Sequence, residues 1–194
     1  MASEFRVEVS GITDLMFNAY RGNADTPPQD MLYLKDGIVG LPSANIQSFL
    51  ALAGDAAIQF KRIPAKKKDV LVVAPSVIII TPPFIPVLRE GEQVKFSSFD
   101  DNSALYLDTR KTGGSMGGGN MKIPPQMKVR PVLKMPWTME FNVRLLDNEI
   151  GITGDELKWW FEAGGVYTGF GNGRKIGFGK FEVAKWELVK KVKA

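Results

Sequence analysis

The sequence has no cysteine and no histidine in 194 residues. Without cysteine there is no disulfide, no thiol nucleophile and no thiolate metal ligand. Without histidine there is no Ser-His-Asp triad and no imidazole acid or base. Together the two absences exclude the Cys/His zinc sites. Any chemistry must rest on carboxylates, Lys, Tyr, Ser/Thr or a metal held by oxygen, and nothing in the residue set calls for a cofactor. The lack of cysteine fits a reducing compartment. Long apolar runs are also missing. The greasiest stretch, Val70 to Ile80, is broken by Pro75 and is too short to span a bilayer. The first residues alternate charged and apolar groups and hold no signal-peptide core. These features lead us to expect a soluble cytoplasmic protein with no membrane partner.

What is present is enough for one folded domain over residues 1–194, with 44% hydrophobic and 24% charged residues. The charge is segregated. Lys61, Arg62, Lys66, Lys67 and Lys68 fall in eight residues with no acid, a run of +5. Between Asp108 and Lys134, six basic residues (Arg110, Lys111, Lys122, Lys128, Arg130, Lys134) face Asp108 alone, again +5. A chain of net charge +4 therefore leaves −6 on the remainder. Two basic segments on an acidic body point to an anionic partner, most often nucleic acid; the plainer reading is two solvated loops.

Phe5, Val7 and Val9 alternate with Arg6, Glu8 and Ser10, which predicts a half-buried strand. After an irregular stretch, Pro42 in Gly40-Leu41-Pro42-Ser43 is expected to open a helix with Ile46, Phe49, Leu50 and Ala53 on one face, and Gly54 can stop it. Val70–Ala74 and Val77–Ile80 read as one or two buried strands. Val87–Phe96 reads as a hairpin turning at Glu90-Gly91. Residues 108–128 include five glycines in nine residues, Thr112 to Asn120, and are expected to form a mobile basic loop that orders only on a partner. Trp137, Met139, Phe141, Val143 and Leu145 mark the cleanest strand. Thr153 and Glu156 form a capping box for a helix carrying Leu157, Trp160 and Phe161 and ending at Gly164-Gly165. In the last strand Phe181 and Val183 have one parity and Trp186 and Leu188 the other, so a β-bulge is expected near Ala184-Lys185.

The order strand, helix, strand, strand, helix, strand is the ferredoxin-like β-α-β-β-α-β pattern, an α+β fold with one antiparallel sheet. Residues 84–135 then form a large hairpin and loop insertion. The second strand is apolar on both faces, so either that insertion or a partner subunit is expected to cover its far side.

Between the last helix and the last strand lies Gly169-Phe170-Gly171-Asn172-Gly173-Arg174-Lys175-Ile176-Gly177-Phe178-Gly179. A Rossmann reading fails, because the loop follows a helix and precedes a strand. A ferredoxin-like chain with this loop, a basic residue and a Gly-Phe-Gly before its last strand resembles the RAMP superfamily, which builds CRISPR effector backbones and processes their guide RNAs. Gly40-Leu41-Pro42-Ser43 is similar to that family's early loop. A closer resemblance is to small RAMP-like proteins of bacteriophages and prophages, through the Gly-x-Pro helix start, Arg130-Pro131 ahead of Trp137, and the ending Gly177-Phe178-Gly179-Lys180-Phe181-Glu182-Val183. The resemblance covers residues 38–54 and 128–189 and says little of 84–127. It implies a bacterial or phage-infected cell, and a subunit that repeats along a strand as a homo-oligomer or within a larger complex.

The expected function is sequence-independent binding of single-stranded RNA or DNA. Gly169, Gly171, Gly173 and Gly177 would bring backbone N–H groups to phosphates, with charge from Arg174 and Lys175. Lys61, Arg62, Lys66, Lys67, Lys68, Arg110, Lys111, Lys122, Lys128 and Arg130 would add to the contact. No aromatic residue joins Arg6, Glu8, Ser10, Thr138, Glu140, Asn142 and Arg144 on the polar strand face, so stacking of bases on the open sheet is not expected. Two alternatives stand. One is a phage assembly or inhibitor protein acting through protein contacts, with Trp159 and the methionines at the interface. The other is a histidine-independent ribonuclease using Asp14, Asp36 or Asp100-Asp101, although these are typical turn residues.

Overall fold

The computed structural model describes residues 2–19, 26–59, 75–100, 103–115, 122–149 and 151–192. Its strands in chain order are β1 (Ala2–Gly11), β2 (Leu15–Met16), β3 (Leu34–Lys35), β4 (Ile38–Pro42), β5 (Ile78–Thr81), β6 (Phe84–Pro86), β7 (Leu88–Arg89), β8 (Glu92–Gln93), β9 (Leu105–Ser115), β10 (Lys122–Leu133), β11 (Thr138–Leu145) and β12 (Phe181–Val192). The helices are α1 (Ser43–Gln59) and α2 (Gly154–Tyr167), with short 3-10 turns at Pro28–Met31 and Arg174–Ile176. Among the described residues no helix is long and apolar enough to cross a membrane.

The main sheet runs β12-β1-β11-β5, every pair antiparallel. With α1 between β1 and β5 and α2 between β11 and β12, this is the α+β ferredoxin-like arrangement that the element order predicts. The alternation of β1 and β11 puts Phe5, Val7, Val9, Met139, Phe141, Val143 and Leu145 in the core. Their polar neighbours form the outer face, where Arg6 pairs with Glu140 at 2.8 Å. Ile78 and Ile80 of β5 are buried and Ile79 is exposed, so the far side of this apolar strand stays open among the described residues. Trp137, Trp160, Phe161 and Phe141 are all core.

The bulge forms where parity demands it. Val9 pairs with Val183 and Glu8 with Lys185, leaving Ala184 as the extra residue. Val183 and Trp186 thereby both pack on the core. A second shift leaves Val189 unmatched between Leu188 and Lys190.

Four expectations are corrected. Pro42 ends β4 and the helix begins one residue later, where the Ser43 N–H donates to Pro83 O at 2.9 Å. Gly54 does not stop α1, which runs to Gln59. The helix carrying Leu157 does not end at Gly164-Gly165 but at Tyr167; these glycines lie inside it, where the core comes too close for a Cβ. Residues 108–115 and 122–128 belong to an antiparallel ribbon, β9 on β10, rather than to a loop, while residues 116–121, with three of the five glycines, lie outside the described residues. Cross-strand pairing holds Gly113 and Gly114 within β9, and a register shift between Ile123 and Gln126 takes up Pro124-Pro125. The Val70–Ala74 strand lies outside the described residues.

The ribbon is tied to the core at its base. β10 pairs with β2 through Leu133–Leu15 and Val132–Met16. Met16, Val132 and Phe178 form a small second core with Tyr106 against it.

Candidate nucleic-acid interface

Thr153 caps α2, its Oγ1 accepting from the Glu156 N–H at 3.1 Å, and the helix buries Leu157, Trp160, Phe161, Gly164 and Gly165. Tyr167, the last residue of the helix, is 68% exposed. The helix end is fixed by Lys180, whose Nζ donates to Tyr167 O at 2.7 Å and Thr168 O at 3.1 Å. A cation on the last carbonyls also suits the negative end of the helix dipole. Burial, and then the nearby Arg174 charge, lower the Lys180 pKa.

The glycine-rich loop is held by backbone to backbone contacts. The Phe170 N–H donates to Gly179 O, the Asn172 N–H to Met16 O and the Gly179 N–H to Asp14 O, each at 2.8 Å. At the loop's neck a Cβ on Gly179 would lie 2.0 Å from Phe170 O, and one on Gly169 would lie 2.5 Å from Gly179 O. Both residues also have positive φ, so only glycine passes there. Gly171 approaches Met16 O in the same way. The N–H groups of Gly169, Phe170, Asn172, Ile176, Gly177, Phe178 and Gly179 all donate to carbonyls of the protein itself. The loop is thus a folded lid clipped onto β2, and what it turns outward for an anion is chiefly the side chains of Arg174 and Lys175. Among the described residues neither has a carboxylate partner. Burial lowers the Arg174 pKa, yet a guanidinium stays charged at neutral pH.

These two cations line a cleft of about 560 Å³ together with Tyr167, Thr168, Asn172 and Ile176, and α1 closes its far wall with Leu52. A second hollow of about 290 Å³ opens beyond Ile176, bounded by Asp14, Tyr106, Arg110, Gly177 and Phe178. Here the ribbon meets the loop. The Arg110 guanidinium sits 4.9 Å from the centre of the Phe178 ring and donates to Asp108 from Nε at 2.6 Å and Nη2 at 2.9 Å. That carboxylate raises the Arg110 pKa. The Tyr106 hydroxyl donates to Asp14 Oδ2 at 3.0 Å. Desolvation first, then the Asp14 carboxylate, push the Tyr106 hydroxyl up to about 12.

Ribbon register divides the basic residues. Arg110 faces Lys128 and Arg130 faces Asp108, which puts these four on the ribbon face that carries Tyr106. Lys111 faces Met127 on the other side, with Leu107. Lys122 pairs with Ser115 at the start of β10. Lys61, Arg62, Lys66, Lys67 and Lys68 lie outside the described residues.

Of the four carboxylates singled out for chemistry, Asp101 lies outside the described residues and the other three hold the chain in shape. Asp14 accepts from the Tyr106 hydroxyl and from the Met135 N–H at 2.9 Å. Asp100 accepts from the Ser98 hydroxyl and the Ser103 N–H. Asp36 takes positive φ in the β3–β4 turn. Among the described residues no three acidic groups gather as a metal site.

Residue reasoning missed Tyr167, Leu52 and Asn172. Tyr167 follows Trp160 by seven residues and Gly164 by three, so helical spacing reads it as part of the apolar stripe and no local signal marks it as exposed.

No family model matches the chain, and no curated protein does. Among solved structures it is similar to a chain in the cryo-electron microscopy structure of the type III-B Cmr-beta bound to cognate target RNA. The TM-score is 0.55 and the identity 11%, over 97% of this chain and 61% of that one. The likeness is one of fold. This chain spans about three fifths of the length of that neighbour.

Proposed function

We propose that this protein binds single-stranded RNA through its phosphate backbone, without chemistry of its own, as one subunit of a larger assembly. The observation that carries the reading is Arg174 and Lys175, without a carboxylate partner among the described residues, beside an exposed aromatic residue, on a loop clipped to the core. The neighbouring fold comes from a complex bound to RNA, which favours RNA over DNA. Arg110, Lys128 and Arg130 on one face of the ribbon extend the positive surface next to the loop. The exposed far side of Ile79, together with Val166 at 51% exposure, supports docking within an assembly. The Gly-x-Pro start and the Gly-Phe-Gly-Lys-Phe-Glu-Val ending favour a phage-encoded relative of the fold.

Backbone contacts release counterions, so affinity must fall with salt. The test is fluorescence anisotropy of a labelled uridine oligomer over a salt series. The wild type should give a straight line of log affinity against log salt. Arg174→Glu with Lys175→Glu should flatten its slope by about 1.4, at ~0.7 per lost phosphate contact on a single strand. Arg6→Ala with Arg144→Ala, on the outer sheet face, should leave affinity within about twofold, since these side chains take no part in the cleft. No binding at low salt, or equal loss with both double variants, would overturn the reading.

A further inference from the structure

The cleft beside Arg174 is larger and greasier than a phosphate needs. A phosphate site asks for converging N–H donors and cations. Here Leu52, Ile176 and Tyr167 line the cleft together with Asn172, Arg174 and Lys175. A volume of about 560 Å³ falls in the range of small-ligand sites, roughly 300–1,000 Å³, and a phosphate would leave most of it empty. An exposed ring, an aliphatic wall and neighbouring cations together suit a flat aromatic group that carries a negative charge. That is a nucleobase with its phosphate.

The cleft is also pre-formed. One wall is the end of α2, where the Thr168 N–H donates to Gly164 O at 2.7 Å and Lys180 holds the last carbonyls. The other wall is the loop, anchored by the Asn172 N–H on Met16 O at 2.8 Å and turned by the Ile176 N–H on Gly173 O at 2.9 Å. Little ordering remains to be done when a ligand arrives, so stacking energy is not spent on building the site.

We infer that this cleft takes one unstacked base of the bound strand, laid on the Tyr167 ring against Leu52, with its phosphate on Arg174 and Lys175. The inference rests on the single-strand reading and adds to it a residue that contacts a base. Stacking tolerates any base, so the site adds affinity without choosing a sequence.

The test compares a uridine oligomer with an abasic sugar-phosphate oligomer of equal length and charge. The wild type should bind the uridine strand about 5- to 100-fold more tightly, the range that base–aromatic stacking supports. Tyr167→Ala should lose this preference and leave binding of the abasic strand unchanged. Tyr167→Phe, which keeps the ring, should retain it. Leu52→Trp, which fills the cleft and leaves Tyr167 in place, should abolish it. A 2-aminopurine within the strand should be quenched by the wild type and by Tyr167→Phe, but not by the other two variants. Equal binding of both strands, or a preference that survives Tyr167→Ala, would overturn the base site while leaving backbone binding intact. Binding of neither strand would overturn both readings. Displacement of the uridine strand by an acidic peptide from the wild type but not from Tyr167→Ala, with no preference over the abasic strand, would assign the cleft to a protein partner and overturn the inference.

Discussion

Gly165 sits inside a helix, in its last turn, where alanine is normally better by about 1 kcal/mol. Packing reverses that preference. A Cβ at Gly165 would stand 2.4 Å from Phe181 O, a backbone atom of β12 that cannot swing aside, and 2.8 Å from the Phe181 ring. Gly164 is in the same position against Phe49 and Ala53 of α1. Overpacking of this kind costs about 1–3 kcal/mol, more than propensity returns. Gly165→Ala should therefore lower the melting temperature, measured by circular dichroism, despite its higher helix propensity; a rise would show that α2 and β12 can move apart. Phe49, Phe170 and Phe181 depend on this close approach, with ring centres 4.9 Å apart for Phe49–Phe170 and 4.2 Å for Phe170–Phe181.

Among the elements, β12 shows how a single residue decides two faces. Side chains alternate strictly along a strand, so one register slip sends every later residue to the opposite side. Ala184 is the extra residue that turns Trp186 back to the core, where its ring centre lies 5.0 Å from Phe5 and 5.5 Å from Phe161. Deleting Ala184 should place Trp186 outside or break the pairing with β1, at a cost of about 3 kcal/mol or more for a lost core aromatic. Chemical denaturation followed by tryptophan fluorescence measures this. A midpoint equal to that of the wild type would mean that the strand re-forms the bulge elsewhere. The β9–β10 ribbon teaches the converse. Gly113 and Gly114 taken singly suggest a loop, whereas a two-stranded ladder is a pairwise property.

For the whole molecule, the question is how the ribbon is joined to the ferredoxin-like core. One link is the Tyr106 hydroxyl donating to Asp14, between β9 and the turn after β1. The folded protein holds that proton up to a pH of about 12, against an ordinary value of ~10 for the unfolded chain. Between these two values the folded state binds more protons than the unfolded state. Its stability is then fully present below about pH 10 and is lost as pH rises through about 12. Denaturation midpoints across that window should fall for the wild type and fall less steeply for Tyr106→Phe. Parallel curves would show that the tyrosine does not couple the two parts.

Much of this architecture was legible from residue order alone. Period-two alternation in β1 and β11, the Thr153 cap and the parity break at Ala184 are local signals, and local sterics and hydrogen bonding suffice to write them. The glycine-rich loop was legible as a special place, but its use was not. Glycine declares that a backbone must come close to something without saying to what. Here the partners of Gly169 and Gly171 are the Gly179 and Met16 carbonyls rather than a phosphate. Tyr167 at the end of α2 and Arg174 in the loop are near each other in the chain, but Leu52 comes from α1, far from both, and joins their cleft only because the helical layer packs on the sheet as it does. Strand and helix identity, the cap and the bulge were thus determined by the sequence itself. The pairing of the ribbon and the assembly of the cleft were decided by tertiary structure, because both are contacts between segments that carry no mark of one another.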